Sequence, residues 1–204
     1  MEAYYERRSA EYDDWYVGAG LFADRDRPGW EGEVTAVQRA VRSLPSGRTL
    51  DVACGTGFIT RHLRGWVVGT DSSPGMLAES RARHEHPLVR ADAFSLPFRS
   101  DSFDRVFTGH FYGHLEADRR TAFLAECRRL APELVVLDAA RRDDVEPEQV
   151  QERVLKDGSS HRVFKRFLTV SQLSSELGGG RALFEGRWFV MIGSRRSPAI
   201  GSRR

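Results

Sequence analysis

The feature that most constrains the fold of this chain is a ten-residue segment at positions 50–59, Leu-Asp-Val-Ala-Cys-Gly-Thr-Gly-Phe-Ile. An apolar strand runs into an acid, then into small residues and two glycines, and a helical pattern begins at once. Glycines at the carboxyl end of a strand let the backbone approach a bound ligand closely. The segment therefore predicts a strand, a ligand-binding loop and a helix, as in the nucleotide-type sites of α/β proteins.

Strand and helix signals alternate after this segment. Hydrophobic runs predict strands at Thr49–Ala53, Trp66–Thr70, Leu88–Ala91, Phe103–Thr108 and Leu134–Asp138. Helical spacing predicts helices at Glu31–Leu44, Pro74–His84 and Ala117–Leu130, and a helix that opens at Phe58–Leu63. Such alternation indicates βαβ units with right-handed crossovers, and hence a mainly parallel sheet.

Both ends of the chain carry further signals. Residues 2–16 are predicted to form one amphipathic helix, because Tyr5, Ser9, Tyr12 and Tyr16 fall at helical spacing. After Asp138, the sequence predicts a charged irregular segment or short surface helix at Arg141–Gln151 and extended backbone at His161–Leu168. A short helix at Val170–Leu177, capped by Thr169, and a hairpin of Arg181–Glu185 with Arg187–Ile192 are predicted to follow.

Length and composition favour one globular α/β domain. The 204 residues are 40% hydrophobic and 29% charged, and no apolar run approaches the roughly 20 residues of a membrane helix. No secretory signal is visible, and the two cysteines fit neither a metal site nor a disulfide framework. We therefore expect a cytoplasmic protein with no metal, made of an N-terminal helical extension (1–45), a core (46–194) and a basic disordered tail (195–204).

The charge distribution argues against a nucleic-acid partner. Four arginines stand in the last ten residues, at positions 195, 196, 203 and 204, and without them the formal net charge changes from +2 to −2. A broad phosphate-binding surface would need a basic face. We expect a small-molecule substrate, no membrane partner, and a monomer or homodimer.

The glycine pattern selects among nucleotide-type ligands. A dinucleotide fingerprint would need a third glycine where Thr60 stands, and no Gly-Lys-Ser/Thr follows to make a phosphate loop. The carboxylate of Asp51 would repel a pyrophosphate but attract an amino group. The predicted ligand is therefore a nucleoside that carries a cation and no phosphate.

At this point the sequence resembles the class I S-adenosylmethionine (SAM)-dependent methyltransferases, particularly small-molecule enzymes related to the ubiquinone/menaquinone type. Residues 51–57 resemble the family motif Asp/Glu-x-Gly-x-Gly-x-Gly, with Ala53 where the first glycine is usual. Alanine suits this position if its backbone φ is negative. The segments at 67–71, 72–77, 90–98, 101–107 and 122–132 match later family elements in order.

The resemblance implies a role for each matched residue. Asp51 acts on the ammonium side of SAM, Asp71 accepts the ribose hydroxyls, Met76 packs near the adenine, and Asp92 accepts the adenine amino group. The implied cofactor-binding residues are Asp51, Ala53, Gly55, Thr56, Gly57, Asp71, Ser72, Met76, Asp92, Ala93, Phe94, Thr108 and His110.

Three further groups have both a functional and a structural interpretation. Tyr5 and Tyr12 share a helix face, so they form a lid over the cofactor or simply pack against the second helix. His110 and His114 follow the fourth strand, so each is a candidate catalytic base or a histidine bonded to backbone. Arg162, Lys165 and Arg166 bind an acidic substrate group or, as we favour, form the solvated side of a strand.

The family resemblance also implies the fold: a Rossmann-like, seven-stranded, mostly parallel sheet in the order 3-2-1-4-5-7-6, with strand seven antiparallel and helices on both faces. The expected activity is SAM-dependent methylation of a small molecule at oxygen, nitrogen or carbon, with S-adenosylhomocysteine (SAH) as the product. The alternatives are a non-catalytic SAM-binding regulator, a NAD(P)-dependent reductase, and an RNA or protein methylator, which the near-neutral charge disfavours.

Overall fold

A computed structural model describes residues 2–196 of the chain. Nine strands are present in this range: β1 (Gly47–Val52), β2 (Gly65–Asp71), β3 (Leu88–Arg90), β4 (Arg105–Gly109), β5 (Glu133–Ala139), β6 (Glu148–Val154), β7 (Ser160–Arg166), β8 (Arg181–Glu185) and β9 (Phe189–Arg195). Seven of them form one sheet in the order β3-β2-β1-β4-β5-β9-β8. Strand β9 runs antiparallel to β5 and β8, while the other pairs are parallel. The predicted fold is confirmed.

The centre of the sheet is apolar on both faces, as expected when helices cover a parallel sheet. Leu50 of β1 lies opposite Val68 of β2 and Val106 of β4, and all three side chains are buried. One core cluster packs against each face of the sheet. Because the parallel strands all end at the same edge, the loops after β1, β2 and β4 meet there.

Six α-helices surround the sheet: α1 (Glu2–Arg8), α2 (Asp14–Val17), α3 (Trp30–Arg42), α4 (Pro74–Arg81), α5 (Ala117–Leu130) and α6 (Val170–Glu176). The bounds of α5 are those predicted. Helix α6 begins at a capping box between Thr169 and Gln172, as the capping prediction requires. None of the described helices is long and apolar enough to cross a membrane.

Two helix predictions are wrong. Residues 2–16 form α1, a 3₁₀ turn at Ser9–Glu11 and the start of α2, so the segment bends instead of running straight. No α-helix follows Phe58; a 3₁₀ turn at Thr60–His62 leads directly into β2. Only residues 58–64 separate Gly57 from the β2 glycine Gly65, which is too short a connection for a regular crossover helix.

The segment after β5 also differs from its prediction. Strands β6 and β7 pair as a separate antiparallel ribbon. Residues 148–151 of the predicted irregular segment Arg141–Gln151 are therefore strand, whereas residues 141–147 are irregular. Lys165 and Arg166 of β7 are buried and ion-paired, with Asp138 and Glu176, so the solvated interpretation holds only for the exposed Arg162. In the predicted tail, Arg195 ends β9 and Arg196 pairs with Asp101. Arg203 and Arg204 lie outside the described residues.

Candidate functional site

A cavity of about 580 Å³ opens at the carboxyl edge of the sheet. Its volume lies within the range of about 300–1,000 Å³ that is typical of small-molecule sites. Eleven of the fifteen predicted cofactor-binding residues line it: Tyr5, Tyr12, Ala53, Gly55, Asp71, Ser72, Met76, Asp92, Ala93, Phe94 and His110. The other four, Asp51, Thr56, Gly57 and Thr108, do not.

Sequence reasoning missed three of the larger wall residues, Arg90, Phe111 and Arg119. Arg119 stands on α5 with its guanidinium 4.0 Å from the centre of the Phe94 ring. Arg90 ends β3, so its position at the carboxyl edge followed from the predicted topology. Arg119 had no such signal, because α5 reaches the cavity only through tertiary packing.

The loop after β1 approaches the cavity in left-handed backbone conformations. Ala53 has φ +59°, so the expectation of a negative φ at this position is wrong. Gly55 has φ +55°, and a β-carbon added there would lie 3.9 Å from both Met76 Sδ and Tyr12 Cε1. Both neighbours line the cavity, so the missing side chain leaves space where a ligand can contact the backbone.

The remaining loop residues support this geometry from outside the cavity. A β-carbon on Gly57 would lie 2.6 Å from His84 Nε2, so this glycine permits close packing of the loop. Thr56 Oγ1 donates to Asp13 Oδ1 at 2.5 Å, which ties the loop to the N-terminal segment. Thr108 is fully buried and donates to the carbonyl of Val52.

Asp51 lies beneath the loop and carries an unsatisfied carboxylate oxygen. Thr60 Oγ1 donates to Asp51 Oδ2 at 2.7 Å, whereas Oδ1 is buried without a partner. Desolvation, reinforced by the nearby charge of Asp71, raises the pKa of Asp51 to about 7 despite the Thr60 hydrogen bond. Asp51 borders a second small cavity of about 20 Å³, a volume sufficient for one water molecule.

Two other carboxylates line the main cavity itself. Asp71, at the end of β2, accepts the N–H groups of Gly55 at 2.9 Å and Ser73 at 3.0 Å. Burial raises the pKa of Asp71, and these backbone hydrogen bonds oppose that rise. Asp92 is more exposed and accepts the N–H of Phe94. Each carboxylate keeps further lone pairs, so both can accept hydroxyl or amino groups of a ligand.

The N-terminal segment carries two aromatic side chains onto the cavity, Tyr5 from α1 and Tyr12 from just after the 3₁₀ turn at Ser9–Glu11. The ring centres of Tyr5 and Tyr12 lie 6.3 Å apart, and both side chains form part of the cavity wall. Helix α1 is attached to α4 through Glu6, whose carboxylate accepts Ser73 Oγ at 2.5 Å and the N–H of Gly75 at 3.0 Å. This contact places α1 across the start of α4, beside Met76.

The two predicted catalytic histidines have different surroundings. His110 has φ +59° and is buried, with neither ring nitrogen hydrogen-bonded, and burial lowers its pKa to about 4. His114 donates its Nδ1–H to the carbonyl of Phe164 at 2.6 Å, which leaves the lone pair on Nε2. Burial lowers the pKa of His114 as well, so both imidazoles are neutral near pH 7.

His110 also borders a larger cavity of about 880 Å³ on the side away from Asp71. Tyr5, Tyr12 and His110 are lining residues of both cavities, and His114 lines only the larger one. Sequence analysis did not predict this larger cavity. Most of its walls come from the first thirty residues and from the segment after β5, which are distant in sequence and carry no shared motif.

Comparisons with known proteins show that the chain is similar to methyltransferases. Residues 50–133 match the family described as Methyltransferase domain. Over 74 residues the chain is 43% identical to the demethylmenaquinone methyltransferase of Mycolicibacterium vanbaalenii, a match that covers 35% of this chain and 32% of that protein. The chain therefore matches about a third of the length of this curated relative.

Solved structures extend the likeness to nearly the whole chain. The DhpI-SAM-HEP complex has a TM-score of 0.76 at 28% identity and covers 95% of each chain. The DhpI-SAH complex has a TM-score of 0.75 at 27% identity, with 96% of this chain and 95% of that chain covered. Strand order, motif and structural likeness together confirm the resemblance to the class I SAM-dependent methyltransferases.

Proposed function

We propose that this protein transfers the methyl group of SAM to a small-molecule acceptor at oxygen, nitrogen or carbon. The observation that carries the proposal is the 580 Å³ cavity at the carboxyl edge, where Gly55 exposes backbone beside the carboxylate of Asp71. Both features suit a ribose bound close to a glycine loop. The relatives named above support the same ligand.

The residues present fit SAM. Asp71 would hold the ribose hydroxyls, and the walls formed by Met76, Ala93 and Phe94 would hold the adenine, with Asp92 at its amino group. Asp51 Oδ1, buried and without a partner, would act on the ammonium group through the small cavity beside it. A cation there would lower the pKa of Asp51 and stabilise its carboxylate.

When bound, SAM would supply a methyl group on a positively charged sulfur, so that an acceptor lone pair bonds to the methyl carbon in line as the carbon–sulfur bond breaks and SAH leaves. The protein has to hold donor and acceptor on one axis, which is worth about 7–11 kcal/mol of the barrier. Tyr5, Tyr12 and His110 stand between the two cavities, so they would set that axis and exclude water. The larger cavity would hold the acceptor.

An acceptor hydroxyl or amine must also lose a proton. His114 can take it at Nε2, because its Nδ1–H is already given to the Phe164 carbonyl. His110 can accept a proton at either nitrogen once its tautomer is set by the acceptor. Burial weakens both imidazoles as bases, and the nearby carboxylate of Asp138 opposes that effect by favouring the protonated form.

The proposal predicts that Asp71→Asn weakens SAH binding at least about tenfold, because charged hydrogen bonds to hydroxyls are stronger than neutral ones. Calorimetric titration with SAH, with NAD⁺ and with NADP⁺ is the measurement. Asp24→Asn removes an exposed carboxylate elsewhere and should bind SAH as the wild type does.

Two outcomes would redirect the assignment. Tight binding of NAD(P) without SAH binding would favour a reductase and contradict the proposal. SAH binding without SAH release from SAM across a broad panel of small acceptors would favour a non-catalytic regulator.

A further inference from the structure

The larger cavity has an unusual charge balance. Six basic side chains line it: Arg8, Arg25, Arg27, Arg142, Arg153 and Lys165. Lys165 pairs with Asp138 at 2.6 Å, and Arg142 pairs with Asp144 at 3.0 Å. Among the described residues, the other four arginines form no ion pair with a carboxylate. Arg25 is exposed, whereas Arg8, Arg27 and Arg153 are buried or half-buried. These three donate only to neutral oxygens, those of Tyr4, the Trp15 carbonyl and Gln151. Buried cations are ordinarily paired with an acid, so this group requires an explanation.

The four unpaired arginines surround aromatic rings on the cavity wall. The guanidinium carbons of Arg25, Arg8 and Arg27 lie 4.6, 5.6 and 6.0 Å from the centre of the single Phe22 ring. Arg8 and Arg153 both lie over Tyr4, at 5.6 and 5.8 Å. Burial, together with the charges of Arg153 and Arg8, lowers the pKa of Arg25. Cation–π contacts hold the guanidiniums in place but do not neutralise them.

The two acids on the same wall are already engaged. Glu11 accepts the backbone N–H of Lys156, and Glu152 accepts Ser160 Oγ at 2.6 Å. Neither carboxylate makes an ion pair with an arginine of the cluster. The cavity therefore presents a net positive surface to whatever enters it.

Strand β6 buries its polar side chains more than its apolar ones. Gln149, Gln151 and Arg153 are half-buried, whereas Val150 and Val154 are more than half exposed. A strand over an apolar core has the opposite pattern, with polar residues outward. The more buried face of β6 is therefore polar, and its Gln149, Gln151 and Arg153 line the larger cavity together with the more exposed Val150 and Val154.

We propose that the methyl acceptor carries an oxyanion, either a carboxylate or a phosphoryl group, that is anchored by Arg8, Arg25 and Arg153. This inference rests on the proposed function, since it assigns the larger cavity to the acceptor. The aromatic walls, which include Trp15, Trp30 and Trp188, suit an acceptor with a flat or apolar body. Guanidiniums bind carboxylate and phosphoryl oxygens through paired N–H groups, which gives orientation as well as affinity.

The test uses the full chain saturated with SAH and three probes of similar size: phenylphosphonate, benzoate and uncharged benzamide. Tryptophan fluorescence reports binding, because three tryptophans line the cavity. We expect at least one anion to bind about tenfold or more tightly than benzamide. Comparison of the two anions distinguishes a phosphoryl group from a carboxylate.

Variants locate the anion. Arg153→Gln and Arg25→Gln should each weaken binding of the preferred anion by about tenfold, while Arg153→Lys should retain part of the affinity. Arg99→Gln, which removes an exposed arginine outside the cavity, should bind like the wild type. Arg25 is the more exposed of the two tested arginines, so its variant keeps the test valid if Arg153→Gln does not fold.

Two outcomes would overturn the anion inference and leave the proposed function intact, provided that SAH binds. In the first, benzamide binds as tightly as the two anions. In the second, both arginine variants bind the anion as Arg99→Gln does. Absence of SAH binding to the wild type would instead overturn the proposed function on which the inference rests.

Discussion

At the scale of single residues, Ala53 stands in a conformation that favours glycine. Its φ of +59° costs an L-residue about 1–2 kcal/mol, and the loop keeps it because Cys54 N–H donates to the Thr70 carbonyl at 2.9 Å. The strain is located in the loop that faces the cofactor cavity, where strained backbone is often found.

Ala53→Gly should therefore raise the free energy of unfolding by up to about 1 kcal/mol, after the greater flexibility of unfolded glycine is deducted. Urea unfolding followed by circular dichroism is the measurement. Ala125→Gly is the matched control, because this exposed alanine lies inside α5. This variant should lower the free energy of unfolding by about 1 kcal/mol. Equal losses in the two variants would contradict the strain argument.

Asp51 makes the stability of the protein depend on pH. Its carboxyl group keeps a proton up to pH of about 7 in the folded state, whereas the ordinary pKa is 3.8. Between these values the folded state binds more protons than the unfolded state, so stability falls as pH rises from about 4 to about 7.

Asp51→Asn removes this dependence while keeping an oxygen for Thr60 Oγ1. The variant should gain stability relative to the wild type as pH rises, by up to about 4 kcal/mol at pH 8, and little at pH 4. It should also bind SAH more weakly at pH 8, because the ammonium group loses its counter-charge. Unfolding at several pH values tests the first part, with Asp24→Asn as control; a difference that does not change with pH would refute it.

At the scale of elements, helix α1 is fastened to α4 at the edge of the 580 Å³ cavity by the hydrogen bonds of Glu6. Glu6 is exposed, yet hydrogen bonds from Ser73 and Gly75 lower its pKa. This interaction is present above the ordinary pKa of a glutamate and is lost as pH falls through the lowered value. Helix α1 spans only seven residues, so it has little stability of its own.

Glu6→Ala should therefore release α1 without unfolding the sheet. We expect faster hydrogen exchange in residues 2–8 and faster dissociation of SAH, with a melting temperature close to that of the wild type. Stopped-flow displacement of SAH gives the rate. Glu31→Ala, at an exposed position in the first turn of α3, is the control. Identical SAH dissociation rates for the two variants would show that α1 does not cover the cofactor.

At the scale of the whole molecule, the sequence pattern predicted the elements that depend mainly on their own residues. The strand order, helix α5 and the hairpin came from hydrophobic periodicity and family motifs, and eleven predicted residues share one cavity. The helix after Phe58 was predicted wrongly because helical spacing was considered without the length of the connection, which has only residues 58–64 before β2 begins. Strand β6 was missed because its alternation is inverted, with valines facing outward.

The two cavities also differ in which parts of the chain build them. Within the larger cavity, only His110 and His114 come from residues 50–133, the range that matches the Methyltransferase domain family. All its other walls come from residues 4–30, from Ala139 at the end of β5 and from the chain after β5. Under the proposed function, substitutions in those two segments that spare Tyr5, Tyr12 and Asp13 would change acceptor choice and leave the loop after β1 in place. In evolutionary terms, a lineage with this architecture can diversify its substrates while its methyl-donor machinery stays constant, and sequence similarity over the core then carries little information about the acceptor.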